Sequence, residues 1–485
     1  MKWAQVVLLL AMLAPKAVRA GGVFYNSNQS AEYIRSFDRN SAIDDADIVY
    51  YNMAGTVNLR PGLTFNLSGQ TILQWATVRT LGNPALGDRN DESSNPAWLL
   101  PNVYAAYRKD RWAAFTALET IGATAVRHWR QGLPSLDLAG KQAAGYGGAA
   151  SGRIGADAYG AAIAAGAGPA QAQAAVAAAG LDAAPFPSNS WLKGSSRYLA
   201  WRIGGAYRFS PRFALALAGR LVWARQDIVG GFAGACTYDQ YGDDQRHQTL
   251  TLINVTSRAV GYSGEIGINL YPRPDLVLNL TYEMGTPLCF RTAVRGGADG
   301  GGRFQDGQRS RLDLPRTWRL GAGWQFTPSL RGSLGLNAYL EHSARMDMLD
   351  DPAARIDSRR DYRNTLEESA ALECQLDPRW LLSAGVNVNQ IGQRRSATVD
   401  TSLPGAHADY LSLGAGFRFQ ATERLRLNVG VACTGFAHRY QNADVEGDQA
   451  LQAAFAAAGV AISPRKEYDK RYLILAFGLE YHLPR

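Results

Sequence analysis

From Leu63 to Leu483 apolar and polar residues alternate with a period of two, in runs that come in pairs. Leu63, Phe65 and Leu67 alternate with Thr64, Asn66 and Ser68. Leu278, Leu280 and Tyr282 alternate with Asn279, Thr281 and Glu283. Successive residues of a strand point to opposite faces, so this rhythm describes strands with one greasy and one wet face. Tight turns such as Ser210-Pro211-Arg212, Thr327-Pro328-Ser329 and Asp377-Pro378-Arg379 join the members of a pair, and long polar stretches join one pair to the next. Short turns at one end, long loops at the other and an even number of strands, about fourteen here, are what an outer-membrane barrel shows. No other run is long and apolar enough for a helical span. The expected fold class is all-β: a closed, antiparallel transmembrane β-barrel with an N-terminal plug inside its lumen.

The charges fix the facing. A basic side chain turned to lipid costs about 2–4 kcal/mol at the midplane. Arg202, Arg220, Arg319, Arg418, Glu265 and Glu480 all fall on the polar rows, as do Arg208, Arg426, Glu283, Glu341, Glu367 and Glu373. They are candidate lumen charges. Most would hold barrel and plug together; a minority could meet a ligand carboxylate. An apolar outside over a polar inside also explains a hydrophobic content of 46% beside a mean hydropathy of -0.19. The formal charge of +8 is scattered, with no basic stripe, and argues against nucleic acid as a partner.

The chain opens with Met1-Lys2, an apolar run from Val6 to Ala14, and Val18-Arg19-Ala20 before Gly21. That reads as a secretory signal peptide over 1–20. Residues 21–61 lack strand alternation and form the expected plug, with a compact turn signal at Asn52-Met53-Ala54-Gly55. Residues 62–485 make the barrel, with long extracellular loops at 125–194, 232–256, 291–311, 396–407 and 442–469. Phe213 to Gly231 would run roughly 60 Å as a strand, well beyond an apolar band about 25 Å tall. Cys236 and Cys289 stand near loop ends on one side; a disulfide or two free thiols both fit. Cys374 and Cys433 read as small hydrophobes.

The search for chemistry is short. Gly145-Tyr146-Gly147-Gly148-Ala149-Ala150 spells a dinucleotide fingerprint variant but has no strand–helix context. No His-Glu-x-x-His, Gly-x-Ser-x-Gly or zinc spacing occurs, so neither catalytic residues nor a metal or cofactor is expected. Pro169 to Leu181 and Asp448 to Val460 have the composition of short helices in the two largest loops. They fit either a greasy outer vestibule or low-complexity surface loops.

Asp44-Asp45-Ala46 followed by Val49-Tyr50-Tyr51-Asn52-Met53-Ala54-Gly55 resembles the N-terminal hatch of the FadL-type long-chain fatty acid transporters. That family carries Asn-Pro-Ala-Gly at the turn; Asn52, Ala54 and Gly55 match, and Met53 replaces the proline. The His128–Ser135 stretch with its Gly-Leu-Pro is also similar. The resemblance implies a monomer in the bacterial outer membrane, amid its lipids, that passively takes up long-chain fatty acids or other hydrophobic ligands. It further implies gating at the hatch N-terminus near Phe24 and Tyr25, and a side window in the third strand. That strand, Trp112 to Thr124, has a weak outer row, with Phe115 pointing inward and Gly122 following; its residues alone read more readily as an imperfect but continuous strand. Other readings of such a barrel are a porin for small polar solutes, an adhesin, or a surface hydrolase.

Overall fold

The fold is described from a computed structural model covering residues 29–81, 88–130, 153–183, 190–240, 243–300, 304–347, 363–390, 409–436, 439–442 and 465–484. Fourteen long strands close a barrel. In chain order they are β1 (Gly62–Leu81), β2 (Ala97–Lys109), β3 (Trp112–Trp129), β4 (Trp191–Ser210), β5 (Phe213–Gln240), β6 (Asp243–Arg273) and β7 (Leu276–Glu283, continued by Cys289–Asp299). The second half comprises β8 (Thr317–Thr327), β9 (Leu330–Tyr339), β10 (Thr365–Gln375), β11 (Trp380–Gln390), β12 (Tyr410–Gln420), β13 (Leu425–Phe436) and β14 (Arg465–Pro484). Each pairs antiparallel with its sequence neighbours, and β14 closes on β1 from Gly62↔Pro484 to Leu81↔Arg465.

The alternation read from the sequence is the alternation of the wall. Leu67, Leu217, Leu413 and Phe477 face outward and are exposed, while Asn66, Ala216, Ser412 and Ala476 on the same strands are buried. Burying the outward row in hydrocarbon would leave unpaired backbone groups fatal, and closure of the sheet removes them. Aromatic rings gather beside the short turns: Tyr207 and Phe209 lie 4.9 Å apart, and Trp380 and Phe419 4.5 Å apart. Rings that are apolar in body and polar at the tip suit the membrane interface.

At the opposite end β5 and β6 rise far above the rest as a hairpin of 28 and 31 residues joined over 241–242. The expected loop at 232–256 is therefore a continuation of the two strands. Above the membrane both faces are wet, so the period-two signal fades although the ladder goes on. Part of the expected loop at 291–311 is likewise strand, as Cys289–Asp299 pairs with β6 and with Arg309–Leu312. The loop after β3 carries two helices, α3 (Arg153–Ala164) and α4 (Pro169–Ala183). The second matches the expected one; the helix expected over 448–460 lies outside the described residues. Cys289 is a free thiol, and the Cys236 side chain is outside the described residues.

Residues 29–61 sit inside the barrel. They form α1 (Ala31–Ile34), α2 (Ile48–Tyr51) and a 3-10 turn at Met53–Asn58. Nearly every residue from Ser30 to Val57 is buried. Ser30 caps α1, its Oγ accepting from the Tyr33 N–H at 3.0 Å. Glycines of the inner wall let the plug backbone touch the sheet: a side chain at Gly385 would collide with the Ser36 carbonyl, and one at Gly414 with that of Ile34.

Candidate functional site

The plug is held by ions on the side of β10 to β14. Arg35 pairs with Glu373 at 2.5 Å. Asp44 pairs with Arg418 at 2.8 Å and with Arg39 at 3.0 Å. Asp45 meets Arg426 at 2.8 Å, and the Ala46 N–H donates to Glu480 Oε2 at 2.6 Å. Burial alone would raise Asp44, yet Arg39 and Arg418 hold its carboxyl well below the usual range. Glu32 meets the opposite fate: burial, followed by the charges of Asp47 and Asp45, pushes it up to about 8. Asn66 and Asn428 both donate to its Oε1, at 2.7 and 2.8 Å.

The turn at Asn52-Met53-Ala54-Gly55 lies at the bottom of this network. Asn52 Oδ1 accepts from the Gly55 N–H at 3.0 Å and from Asn279 Nδ2 on β7 at 2.9 Å, while its Nδ2 donates to the Ala42 carbonyl at 2.9 Å. Met53 is fully buried, with its sulfur 3.9 Å from Arg202 Nη1. It fills space against the wall where a proline would have fixed the backbone instead.

Above the turn runs a belt of six charges across β3 to β8. Arg202 bonds Glu119 at 3.1 Å and also Glu265; Arg220 meets Glu283 at 2.5 Å and lies 3.9 Å from Glu265; Arg319 bonds Glu283 at 2.7 Å. None of these side chains is more than 5% exposed. Tyr50 of the plug lies between two of the guanidinium groups, 5.0 Å from Arg202 and 4.7 Å from Arg319. Such contacts strengthen when water is excluded. On the loop side of the belt the inner wall turns apolar: Ile121, Tyr198, Val222, Ala224, Leu288 and Phe290 are all buried in one cluster. This packed apolar part of the inner wall thus ends on paired charges and, beneath them, on the plug.

Beside this part of the wall the ladder between β2 and β3 stops short. Rungs join β2 and β3 only from Lys109↔Trp112 to Val103↔Leu118. Pro101 has no N–H to continue the ladder. Side chains take over for one more step: the Thr120 N–H donates to Asn102 Oδ1 at 2.8 Å and its hydroxyl to the Pro101 carbonyl at 2.9 Å. Beyond that β2 follows β1, while β3 follows β4 with irregularities at Thr120/Gly122 and Thr124/Arg127. No rung links β2 and β3 there.

The sequence-derived candidates fall as follows. Arg202, Arg220, Arg319 and Glu265 come together in the belt, and Arg418 and Glu480 join the plug contacts on the other side. Phe115 is buried below Glu119, against the backbone of Gly204. Gly122 follows the first irregularity of β3 and stands opposite Tyr198. Phe24 and Tyr25 lie outside the described residues. Tyr50 was not picked out by sequence as a site residue; an aromatic in a stretch without periodicity carries no signal of its partners.

A family model described as outer membrane protein transport protein (OMPP1/FadL/TodX) matches residues 196–469, more than half of the chain. A search of curated proteins finds no match. Among solved structures the chain is similar to a Pseudomonas aeruginosa FadL homologue, with a TM-score of 0.61 at 12% identity over 96% of this chain and 100% of that one. It is also similar to the P. putida toluene transporter TodX (TM-score 0.55, 10% identity, 95% and 100% covered). A third is the Ralstonia pickettii toluene transporter TbuX (TM-score 0.53, 11% identity, 95% and 99% covered). At such identities the likeness is one of fold. Together with the closed barrel, the family match makes this chain a Gram-negative outer-membrane protein and a member of the OMPP1/FadL/TodX transport family of hydrophobic-compound channels.

Proposed function

We propose that the protein is a monomeric, passive channel for neutral hydrophobic compounds, which enter from the loop end and leave sideways past β3. One observation carries this reading. The packed apolar wall of Ile121, Tyr198, Val222, Leu288 and Phe290 stands above an ion belt with no spare charge, while the neighbouring β2–β3 ladder stops short. A greasy solute cannot cross a layer of buried, mutually paired ions without separating them, and separation costs several kcal/mol per ion. The side wall is the route of lower cost.

The same charges bear on long-chain fatty acids, which the resemblance implies as substrate. A carboxylate in the lumen needs a cation. Arg35, Arg39, Arg202, Arg220, Arg319, Arg331, Arg418 and Arg426 each already face a carboxylate of the protein. In this reading the fatty-acid anion is the poorer ligand and a hydrocarbon the better one; the similar proteins TodX and TbuX are toluene transporters.

The test is uptake by protein-containing vesicles of an alkane and of the alkanoate of equal length. The alkane is expected to enter faster at pH 8, and Gly122→Trp, which fills the inner mouth of the β3 gap, is expected to slow it at least five-fold. Faster entry of the alkanoate would overturn the ligand class. Equal alkane rates with and without Gly122→Trp would overturn the sideways route.

A further inference from the structure

The wall has a second break, between β6 and β7. Rungs run up to Glu265↔Glu283, Met284 N–H donates to the Gly264 carbonyl, and the ladder resumes only at Arg258↔Arg291. In between, Gly285 to Leu288 swings to the lumen side. Thr286 exchanges backbone hydrogen bonds with Leu314 at 3.0 and 3.1 Å instead of bonding β6. Thr286 and Leu288 are fully buried, and a Cβ on Gly261 would run into this segment.

The outer face at the same height is hollow. A recess of about 610 Å³ has Ile203, Leu217, Ile266, Tyr282 and Met284 as its rim and Gly219 and Gly264, paired with each other, as its floor. Its lining reaches Ala218 and Glu265, the lumen-row neighbours of the two glycines, over a ladder that is intact there. A Cβ added at Gly219 would meet nothing within 4 Å.

We propose that this break is a second lateral port, with the recess as the binding site for a neutral hydrocarbon on its way between lumen and outer leaflet. The proposal rests on the reading of the chain as a sideways channel for neutral hydrophobes. The occupant follows from what the recess adjoins. Its rim is apolar and belongs to the lipid-facing rows, and on the lumen side Leu288 and Phe290 belong to the buried apolar cluster of the inner wall. One chain segment separates the two. That segment is latched to the wall through Thr286, whose Oγ1 accepts from Arg220 Nη2 at 2.9 Å and contacts Ser263 Oγ at 3.0 Å. Opening requires these two contacts to part while the Leu314 pairing stays.

The experiment uses the full chain in lipid vesicles with a neutral alkyl diazirine as probe. Photolabelling of Met284 is expected to saturate and to be competed by excess decane. Gly219→Leu, whose Cβ meets nothing within 4 Å and whose side chain points into the hollow, should lower it at least five-fold, and Gly219→Ala should lower it less. Leu413 and Phe477, which face plain lipid, should label in proportion to probe without saturating. Uptake of the probe should fall about two-fold in Gly219→Leu and further in the double variant with Gly122→Trp. Linear labelling of Met284, indifferent to Gly219→Leu, would overturn the binding site. Uptake that Gly122→Trp slows but Gly219→Leu leaves unchanged would overturn the second port while sideways transport stands. Uptake unchanged in the double variant would overturn both.

Discussion

Arg202→Met removes the centre of the ion belt. Arg202 is fully buried and bonds Glu119 and Glu265 at once. Glu265 keeps Arg220 at 3.9 Å, but Glu119 makes no other ion pair among the described residues. Two unit charges 4 Å apart interact by about 4 kcal/mol at an effective dielectric of 20. Measured losses on orphaning one partner of a buried pair are about 3–5 kcal/mol. The guanidinium contact with Tyr50 at 5.0 Å goes as well. The expected destabilisation is therefore about 3–5 kcal/mol for the single variant. Adding Glu119→Gln removes the orphaned charge and should restore roughly half of that. Urea unfolding in lipid vesicles, followed by tryptophan fluorescence, measures both. A single variant within about 1 kcal/mol of the parent, or a double variant no more stable than the single, would refute the view that the belt is a coupled buried network.

Other expectations follow from the plug. Gly385→Val forces a side chain into the Ser36 carbonyl and should cost about 1–3 kcal/mol; limited proteolysis should then cut within 29–61, and an uncut plug would contradict the tight fit. Burial, with the charges of Asp47 and Asp45, pushes Glu32 up to about 8 in the folded protein against about 4.5 for an ordinary glutamate, so the native protein holds a proton that the unfolded chain has lost between these values. Stability is thus expected to fall as pH rises from 4.5 to 8, and Glu32→Gln should flatten that slope; an unchanged slope would refute the assignment. Asp44 is depressed, so its contribution is complete above the usual carboxylate range and lost only as pH falls below it. Asp44→Asn should therefore destabilise at pH 7, and that cost should shrink as the pH falls below the usual carboxylate range. Asn52→Ala breaks three hydrogen bonds of the hatch turn and should cost about 1–3 kcal/mol in the same unfolding assay.

The barrel was legible because hydrocarbon punishes polar groups on one face only, and the alternation of Leu278-Asn279-Leu280-Thr281 records that directly. The inward facing of Arg202, Arg220 and Glu265 came from the same rule. Their partners did not: Glu119 to Arg202 spans 83 positions and Arg35 to Glu373 spans 338. Register across strands distant in the chain leaves no local trace. The upper halves of β5 and β6 were read as loop because strands wet on both sides lose their rhythm. Pro101 was a visible signal for the end of the β2–β3 ladder, since a proline cannot donate to it. The β6–β7 break carries a similar mark, since Pro287 within Gly285 to Leu288 cannot donate to the ladder either.

The most direct test of a sideways route over a plugged lumen is ion current through single molecules of the intact protein in a planar bilayer. With the plug tied to Glu373, Arg418, Arg426 and Glu480, no steady conductance is expected, while the same preparation speeds alkane transfer into vesicles. A steady ion current from a protein that leaves alkane transfer unchanged would mean a water-filled pore for polar solutes, and would contradict the route past β3.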